Sequence, residues 1–183
     1  VKRPYSLCSD PAVADYVSIV LNENPGGEIS PQVYRLQKGD EVFLEGPYGP
    51  FYLRDSPRKK VLIAGGTGIA PLYSMLETLR RQNLLHDVLL VYSVKTRDDI
   101  IFKQELVALQ EEGLRVVYCV TQEKHAQKEY EQKRPDGELL ERYVGDCPGC
   151  DFYLCGSPEM VHDLLLLLKT MGVPAEQIHH ERW

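Results

Sequence analysis

The strongest chemical feature of the sequence is a glycine-rich turn, LIAGGTGIAP, at residues 62–71. Its glycines permit a tight turn and let a pyrophosphate approach the backbone. The helix that follows offers free N–H groups and the positive end of its dipole. The spacing departs from the usual dinucleotide fingerprint, which has Gly or Ala where Pro71 stands. An apolar strand that runs into such a turn predicts a dinucleotide site, although turns of this kind also serve as purely structural connections.

A second turn of the same kind, Cys155–Pro158, follows another apolar stretch and precedes another helix. In an open parallel sheet, ligands bind beyond the carboxyl ends of the strands, where the strand order reverses. If the two strands are neighbours, this turn faces the same crevice as residues 62–71, and Cys155 lies beside the glycines. A buried cysteine is more often an inert core residue than a participant in chemistry, so proximity alone leaves its role open.

Both ends of the chain carry residues that could contact a flat ligand. The last residues are HHERW, with the only tryptophan, Trp183, close to Glu181. The indole is either a hydrophobic latch on the core or a ring that covers a ligand. At the other end, RPYS (3–6) is either a frayed terminus or half of a binding site. GGEIS (26–30) is a turn before a helix that could hold a phosphate.

The sequence pattern changes between residues 57 and 58, and this change predicts a domain boundary there. Residues 1–57 contain short β-rich stretches, 16–21 and 41–45 among them, separated by Gly, Pro and Asn turn signals. Residues 58–183 alternate apolar strands with helices, which predicts a five-stranded parallel sheet covered on both faces. The charged stretch 124–134 has no apolar stripe, so we expect an exposed connector there.

The bulk composition argues against several classes of protein. The 183 residues are 43% hydrophobic and 26% charged, with a formal net charge of -6. Binding of nucleic acid needs a basic face, so this net negative charge argues against nucleic acid as the main partner. No apolar run reaches the roughly 18 residues of a membrane helix, and the start does not resemble a signal peptide. The absence of an initiator Met leads us to expect a processed, trimmed or partial chain.

Five cysteines without a secretory signal indicate reduced thiols and a cytoplasmic location. Two of them form a CxxC, Cys147–Cys150, which is either a surface turn or a metal or redox motif. A zinc site needs four ligands, and the sequence has neither a second CxxC nor the spacing of a plant-type iron–sulfur cluster. We therefore predict no metal site.

Taken in order, six motifs resemble those of the ferredoxin–NADP reductase superfamily. They are RPYS, GGEIS, GDEVFLEGPYG, LIAGGTGIAP, YLCGSPEMV and a terminal ExW. In the pattern of these motifs, the sequence is most similar to reductase components of bacterial oxygenases and to cytochrome b5 reductases. The resemblance implies an antiparallel FAD-binding β-barrel followed by a Rossmann-like NAD(P)-binding domain. Because RPYS lies inside the barrel in that family, it also implies that residues 1–57 are the C-terminal part of a barrel.

The resemblance implies FAD-binding roles in the first half. Arg3 would bind the FAD pyrophosphate, Tyr5 would lie against the isoalloxazine, and Ser6 would hydrogen-bond near flavin N5. Pro4 belongs to the same cofactor-binding segment. The FAD phosphates would be held at a helix start by Gly27, Ile29 and Ser30.

In the second half, the resemblance implies binding of the nicotinamide dinucleotide by the glycine turn, through Gly66, Thr67, Gly68 and the adjoining Pro71. The nicotinamide side would be lined by Cys155, Gly156 and Pro158. Trp183 would stack on the flavin until the nicotinamide displaces it. The catalytic residues implied are Ser6, Cys155 and Glu181, the last of which completes a charge network.

The implied reaction is hydride transfer from NAD(P)H to flavin N5, followed by one-electron transfer to a ferredoxin, an oxygenase or a cytochrome. A flavin reductase that uses free flavin as a substrate is one alternative. A non-catalytic NAD(P)H-sensing regulatory subunit is another, although binding alone would need neither Ser6 nor Cys155. The coenzyme stays open. No carboxylate ends the second strand, where Lys95 and Arg97 lie, and residues 122–124 after the third strand carry both signs.

Overall fold

A computed structural model of the chain describes residues 2–22, 26–123 and 129–182. Its centre is a six-stranded parallel sheet with the strand order β4-β3-β2-β1-β5-β6. The order reverses at β1, which pairs with β2 on one side and β5 on the other. The strands are β1 (Lys59–Gly65), β2 (Val88–Val94), β3 (Arg115–Val120), β4 (Tyr130–Glu131), β5 (Cys150–Gly156) and β6 (Ile178–Arg182).

Four helices connect these strands, and a short one precedes them. They are α1 (Ser30–Tyr34), α2 (Ile69–Arg81), α3 (Lys103–Glu111), α4 (Gly137–Tyr143) and α5 (Pro158–Thr170). Helix α2 follows the glycine turn as predicted, and Pro71 is its third residue. The missing N–H of this proline is still harmless there, because the first turn of a helix leaves its N–H groups unpaired.

The core has two layers because successive residues of a strand point to opposite faces. On one face, Leu62, Leu90 and Tyr92 pack in a cluster with the apolar sides of α2 and α3. On the other, Ile63 and Val91 pack in a cluster with α4 and α5. Strands covered on both faces read as continuous apolar runs, and this is why the sequence predicts them well. The predicted parallel sheet and the predicted adjacency of β1 and β5 are confirmed.

The sheet has six strands rather than the predicted five. The additional strand, β4, is two residues long and lies inside the stretch predicted to be an exposed connector. Side-chain contacts hold it: the Tyr130 ring lies 5.8 Å from that of Tyr118, and Glu131 accepts a 2.7 Å hydrogen bond from the Tyr143 hydroxyl. A two-residue strand held by such contacts has no apolar run in its sequence, so the sequence pattern could not predict it. Residues 124–128 of the connector lie outside the described part of the chain.

The described residues before β1 contain no strand, although short strands are predicted at 16–21 and 41–45. They form one isolated antiparallel bridge, Leu7 to Ile19, and helix α1. The alternating stretch 41–45 is exposed on both faces, and its Phe43 is fully exposed. A β-strand needs a partner for its backbone hydrogen bonds, and alternation cannot supply one. The antiparallel barrel therefore stays a prediction.

Specific contacts attach the first 57 residues to the sheet domain. The backbone N–H of Arg54 donates to the Tyr153 hydroxyl at 2.9 Å, and Asp10 forms a 2.9 Å ion pair with Arg81 of α2.

None of the helices in the described residues has both the length and the apolar character needed to cross a membrane.

Candidate functional site

The carboxyl ends of β1 and β5 approach so closely that only glycine fits at position 68. A Cβ atom on Gly68 would lie 2.2 Å from the carbonyl oxygen of Cys155 and 2.9 Å from the backbone nitrogen of Gly156. These obstacles are backbone atoms, which cannot rotate away as a side chain can. The glycine turn and the Cys155–Pro158 turn therefore form one continuous wall, as the sequence predicts.

Two further glycines complete this wall by leaving room for one side chain. A Cβ on Gly65 would lie 2.7 Å from Sδ of Met160, and a Cβ on Gly156 would lie 2.6 Å from its Cε. Met160 stands in the first turn of α5, which Ser157 caps by accepting a hydrogen bond from the Met160 N–H at 3.3 Å. The helix start is thus packed directly onto the two strand ends.

The glycine turn itself is held open to solvent by its backbone conformation. Gly66 has a φ of +52°, in the left-handed region that glycine adopts without strain, and a Cβ there would meet nothing within 4 Å. Residues Gly66–Gly68 form one 3-10 turn that leads into α2, whose start has no side-chain cap among the described residues. The positive end of the dipole of a long helix lies directly behind the glycine turn, and this favours an anion there.

Tyr92 fixes the position of this turn and was missed by the sequence analysis. Its hydroxyl donates to the Gly66 carbonyl at 3.0 Å and accepts from the Ile101 N–H at 3.3 Å. The ring is fully buried, and burial raises the pKa of the phenol above its ordinary value, so Tyr92 stays a donor. The signal in the sequence was a hydroxyl inside an apolar strand, since a buried tyrosine needs a partner for its O–H.

The three predicted catalytic residues come together at the same edge of the sheet. Ser6 Oγ donates to Glu181 Oε2 at 2.6 Å, and Glu181 pairs in register with Cys155 across β5 and β6. Cys155 is completely buried. Burial and then the Glu181 carboxylate raise the pKa of its thiol to about 12, so Cys155 is a protonated thiol at neutral pH rather than a nucleophile.

The two predicted FAD segments also meet. Arg3 Nη2 lies 3.2 Å from Glu28 Oε2, which joins RPYS to GGEIS. Gly27 and Ile29 flank this carboxylate, and Ser30 begins α1. The pair is well exposed, and such pairs are weak enough for a phosphate to displace the carboxylate. Tyr5 is half-buried and Pro4 exposed, while Trp183 lies outside the described residues.

The CxxC lies at the opposite edge of the sheet, where β5 begins. Cys147 starts a 3-10 turn and Cys150 starts the strand, and both side chains are buried. Burial raises the pKa of Cys147 to about 11, so its thiolate is scarce at neutral pH. The described residues contain no group of three or more His, Cys, Asp or Glu side chains placed to hold a metal ion.

A parallel sheet that reverses its order at a glycine turn, with a second turn across the crevice, defines a dinucleotide-binding α/β domain. Residues 62–165 match the oxidoreductase NAD-binding domain family, so the chain belongs to that family. The resemblance to the ferredoxin–NADP reductase superfamily is confirmed by the relatives of the whole chain.

Three relatives illustrate the match. The toluate 1,2-dioxygenase electron transfer component of Pseudomonas putida is 34% identical over 91% of this chain and 50% of its own length. An Amycolatopsis cytochrome P450 reductase superposes with a TM-score of 0.86 at 28% identity, over 97% of this chain and 55% of that one. A ferredoxin NADP+ reductase from Neisseria gonorrhoeae, solved with FAD and NADP, gives 0.79 at 28% identity, over 98% and 79%. The chain thus spans half of the toluate relative.

Proposed function

We propose that this chain belongs to a flavin-dependent NAD(P)H oxidoreductase that passes electrons from NAD(P)H through FAD to a one-electron acceptor. The observation that carries the proposal is the cluster of Ser6, Glu181 and Cys155. Ser6 comes from the segment expected at the flavin, and Cys155 from the turn expected at the nicotinamide. The 2.6 Å hydrogen bond from Ser6 to Glu181, the strand neighbour of Cys155, supports the proposal that these two sides meet at one edge of the sheet. A protein that only bound a nucleotide would need no such meeting point.

The glycine turn fits a dinucleotide pyrophosphate. Gly66 leaves open space where a side chain would stand, and the positive end of the α2 dipole lies behind it. In the proposal, Gly66, Thr67 and Gly68 hold the phosphates with Pro71 in the first turn behind them. The second turn lines the nicotinamide side through Cys155, Gly156 and Pro158.

The exposed pair of Arg3 and Glu28 fits an FAD pyrophosphate that replaces the carboxylate on the guanidinium. In the proposal, the phosphates are also contacted at the start of α1. Tyr5, next to Pro4, lies against the isoalloxazine, and Trp183 covers its other side. The remaining phosphate contacts are assigned to Gly27, Ile29 and Ser30.

When bound, the two cofactors supply hydride transfer between nicotinamide and flavin and the release of single electrons. The work of the chain is to hold the two rings in contact. Glu181 accepts the hydrogen bond of the Ser6 hydroxyl, which holds the Ser6 side chain beside the carboxyl end of β6. Cys155 stays protonated and buried, so it forms a firm, uncharged wall beside Gly68.

The domain division, the partner and the location belong to the same proposal. Residues 1–57 are assigned to the FAD-binding barrel and 58–183 to the NAD(P)-binding domain, in line with a sheet that begins at Lys59. A ferredoxin, an oxygenase or a cytochrome is the acceptor, because the relatives include an electron transfer component of a dioxygenase and a cytochrome P450 reductase. Five cysteines without a disulfide support a cytoplasmic location.

The test is a visible absorption spectrum of the chain with added FAD, followed by NADH or NADPH without oxygen. We expect bound flavin that is bleached by the reduced coenzyme. Glu181→Gln should slow the bleaching at least about tenfold by loosening Ser6. Glu176→Gln is the matched control, because Glu176 is exposed before the start of β6, at its other end. Flavin that is not retained would favour the flavin reductase, and coenzyme binding without bleaching would favour the regulatory subunit.

A further inference from the structure

The CxxC turn at the start of β5 has no role in the proposed function. Its backbone closes a single turn, in which the N–H of Cys150 donates to the Cys147 carbonyl. The first and fourth residues of such a turn have Cα atoms less than about 7 Å apart, and a disulfide spans Cα separations of roughly 4.4–6.8 Å. The turn therefore holds the two cysteines at a separation that a disulfide can bridge.

The two thiols also lie on the same face of the sheet. Both side chains belong to the core cluster that α4 and α5 cover. Cys150 Sγ donates to the Asp146 carbonyl at 3.4 Å, and that carbonyl belongs to the peptide bond that joins Asp146 to Cys147. The Cys150 sulfur thus lies back over the turn, on the side of the other cysteine.

A buried amide fixes the backbone of this turn. Gln177 Nε2 donates to the Pro148 carbonyl at 2.8 Å and to the Cys150 carbonyl at 2.7 Å. Gln177 is itself only 5% exposed. Because the backbone between the cysteines is already held, joining the two sulfurs requires rotation of side chains more than movement of the chain.

Cys150 is the accessible member of the pair. It lines a surface cavity of about 440 Å³, together with Lys59 and Asp146 among other residues. Cys150 is 5% exposed, whereas Cys147 is 1% exposed and does not line this cavity. A cavity of this size can admit a small molecule. A small disulfide that enters it would meet Cys150 first, with Cys147 behind.

The charges around Cys150 oppose one another. Burial raises the pKa of its thiol, and the carboxylates of Asp146 and Asp151 add to this rise, whereas Lys59 and Lys60 counteract it. The thiolate is the attacking species in thiol–disulfide exchange. Exchange at this turn should therefore be slow at neutral pH and should accelerate as the pH rises.

We propose that Cys147 and Cys150 form a redox-active dithiol that reduces low-molecular-weight disulfides, with Cys150 as the attacking thiol. The Cys150 thiolate attacks one sulfur of the small disulfide, forms a mixed disulfide, and releases a small thiolate that takes up the proton lost by Cys150. Cys147 then loses its proton and attacks the Cys150 sulfur, which breaks the mixed disulfide and releases the second small thiol. Two protein thiols are oxidised to one disulfide, and one small disulfide is reduced to two thiols. The inference does not depend on the proposed function, because neither FAD nor NAD(P)H takes part.

The test incubates the reduced chain with an excess of oxidised glutathione at pH 8 without oxygen. Remaining thiols are then alkylated under denaturing conditions and located by peptide mass spectrometry. Wild type should go from five free thiols to three, with Cys147 joined to Cys150. The rate of this loss should rise roughly tenfold from pH 7 to pH 8, because the thiolate fraction of a thiol does so below its pKa.

Single substitutions separate the roles of the two cysteines. Cys147→Ser removes the resolving thiol, so the reaction should stop at a mixed disulfide of glutathione with Cys150. Cys150→Ser removes the attacking thiol and should lose thiols at least about tenfold more slowly than wild type. Cys119→Ser is the matched control, because Cys119 is a fully buried thiol in β3, which β2 and β1 separate from β5. This control should form the disulfide at the wild-type rate.

Wild type that keeps all five thiols would overturn the inference without any substitution. Loss of thiols at Cys8, Cys119 or Cys155 in place of the pair would overturn it as well. A mixed disulfide that forms equally fast in Cys147→Ser and in Cys150→Ser would overturn the assignment of Cys150 as the attacking thiol.

Discussion

Replacing Gly68 by alanine should separate the carboxyl ends of β1 and β5. The added Cβ would stand 2.2 Å from the Cys155 carbonyl oxygen and 2.6 Å from its carbon. A contact needs well over 3 Å, so the two strand ends must move apart by about 1 Å. Overpacking costs roughly 1–3 kcal/mol, and we expect about 3 kcal/mol here because backbone has to move. For a chain of this size, that lowers the melting temperature by roughly 6–12 °C.

Gly66→Ala is the matched control for this prediction. A Cβ on Gly66 meets no atom within 4 Å, so only the left-handed φ of +52° is unfavourable. That strain costs roughly 1–2 kcal/mol, which lowers the melting temperature by roughly 2–8 °C. Thermal unfolding followed by circular dichroism compares the two variants, and coenzyme titration follows. Gly68→Ala should be the less stable of the two and should lose NAD(P)H binding. A Gly68→Ala protein as stable as Gly66→Ala would refute the close approach of the strands.

Two further predictions concern buried side chains behind the same wall. Tyr92→Phe removes the donor to the Gly66 carbonyl and should lower the free energy of unfolding, measured in urea, by about 1–2 kcal/mol. Coenzyme affinity should fall as well. If neither value changes, the glycine turn keeps its position without Tyr92. The raised pKa of Cys155, about 12 against 9.0 for an ordinary thiol, predicts that stability falls as the pH rises above 9, because the unfolded chain loses this proton first. Cys155→Ala should reduce the loss of unfolding free energy between pH 8 and pH 10 by about 1.4 kcal/mol, and an equal loss in both proteins would contradict the burial of the thiol.

The second half of the fold could be predicted from the sequence because its strands are buried on both faces. Runs such as 61–64 and 88–92 are continuously apolar, and glycine or proline marks several of the turns after them. Strand β4 could not be predicted, since two residues held by Tyr118 and Tyr143 carry no periodic signal. The strand predicted at 41–45 was wrong for the opposite reason. This stretch alternates apolar and polar residues as a strand does, but no partner strand pairs with it in the described residues.

In the candidate site too, some contacts could be predicted from local sequence patterns and others could not. The glycine turn and the Cys155 turn are local patterns, so their meeting followed from the strand order alone. The resemblance assigns Ser6 and Glu181 to one site, but their hydrogen bond was not predicted, because nothing in either segment refers to the other. The sequence also suggested that no carboxylate serves the end of the second strand. The sequence did place Glu123 after the third strand, and the structure pairs it with Arg97, 26 residues away along the chain.

The hydrogen bond between Ser6 and Glu181 has a consequence for the order of events during folding. It joins residues 175 positions apart, whereas the contacts of the glycine turn with β2 close loops of fewer than 30 residues. Closing a longer loop costs more chain entropy, and contacts distant in sequence form late. The refolding chain should therefore regain its coenzyme turn first and join its two ends last. A partly folded molecule would bind the nucleotide before it could pass on a hydride, and a stopped-flow experiment would separate the two events in time.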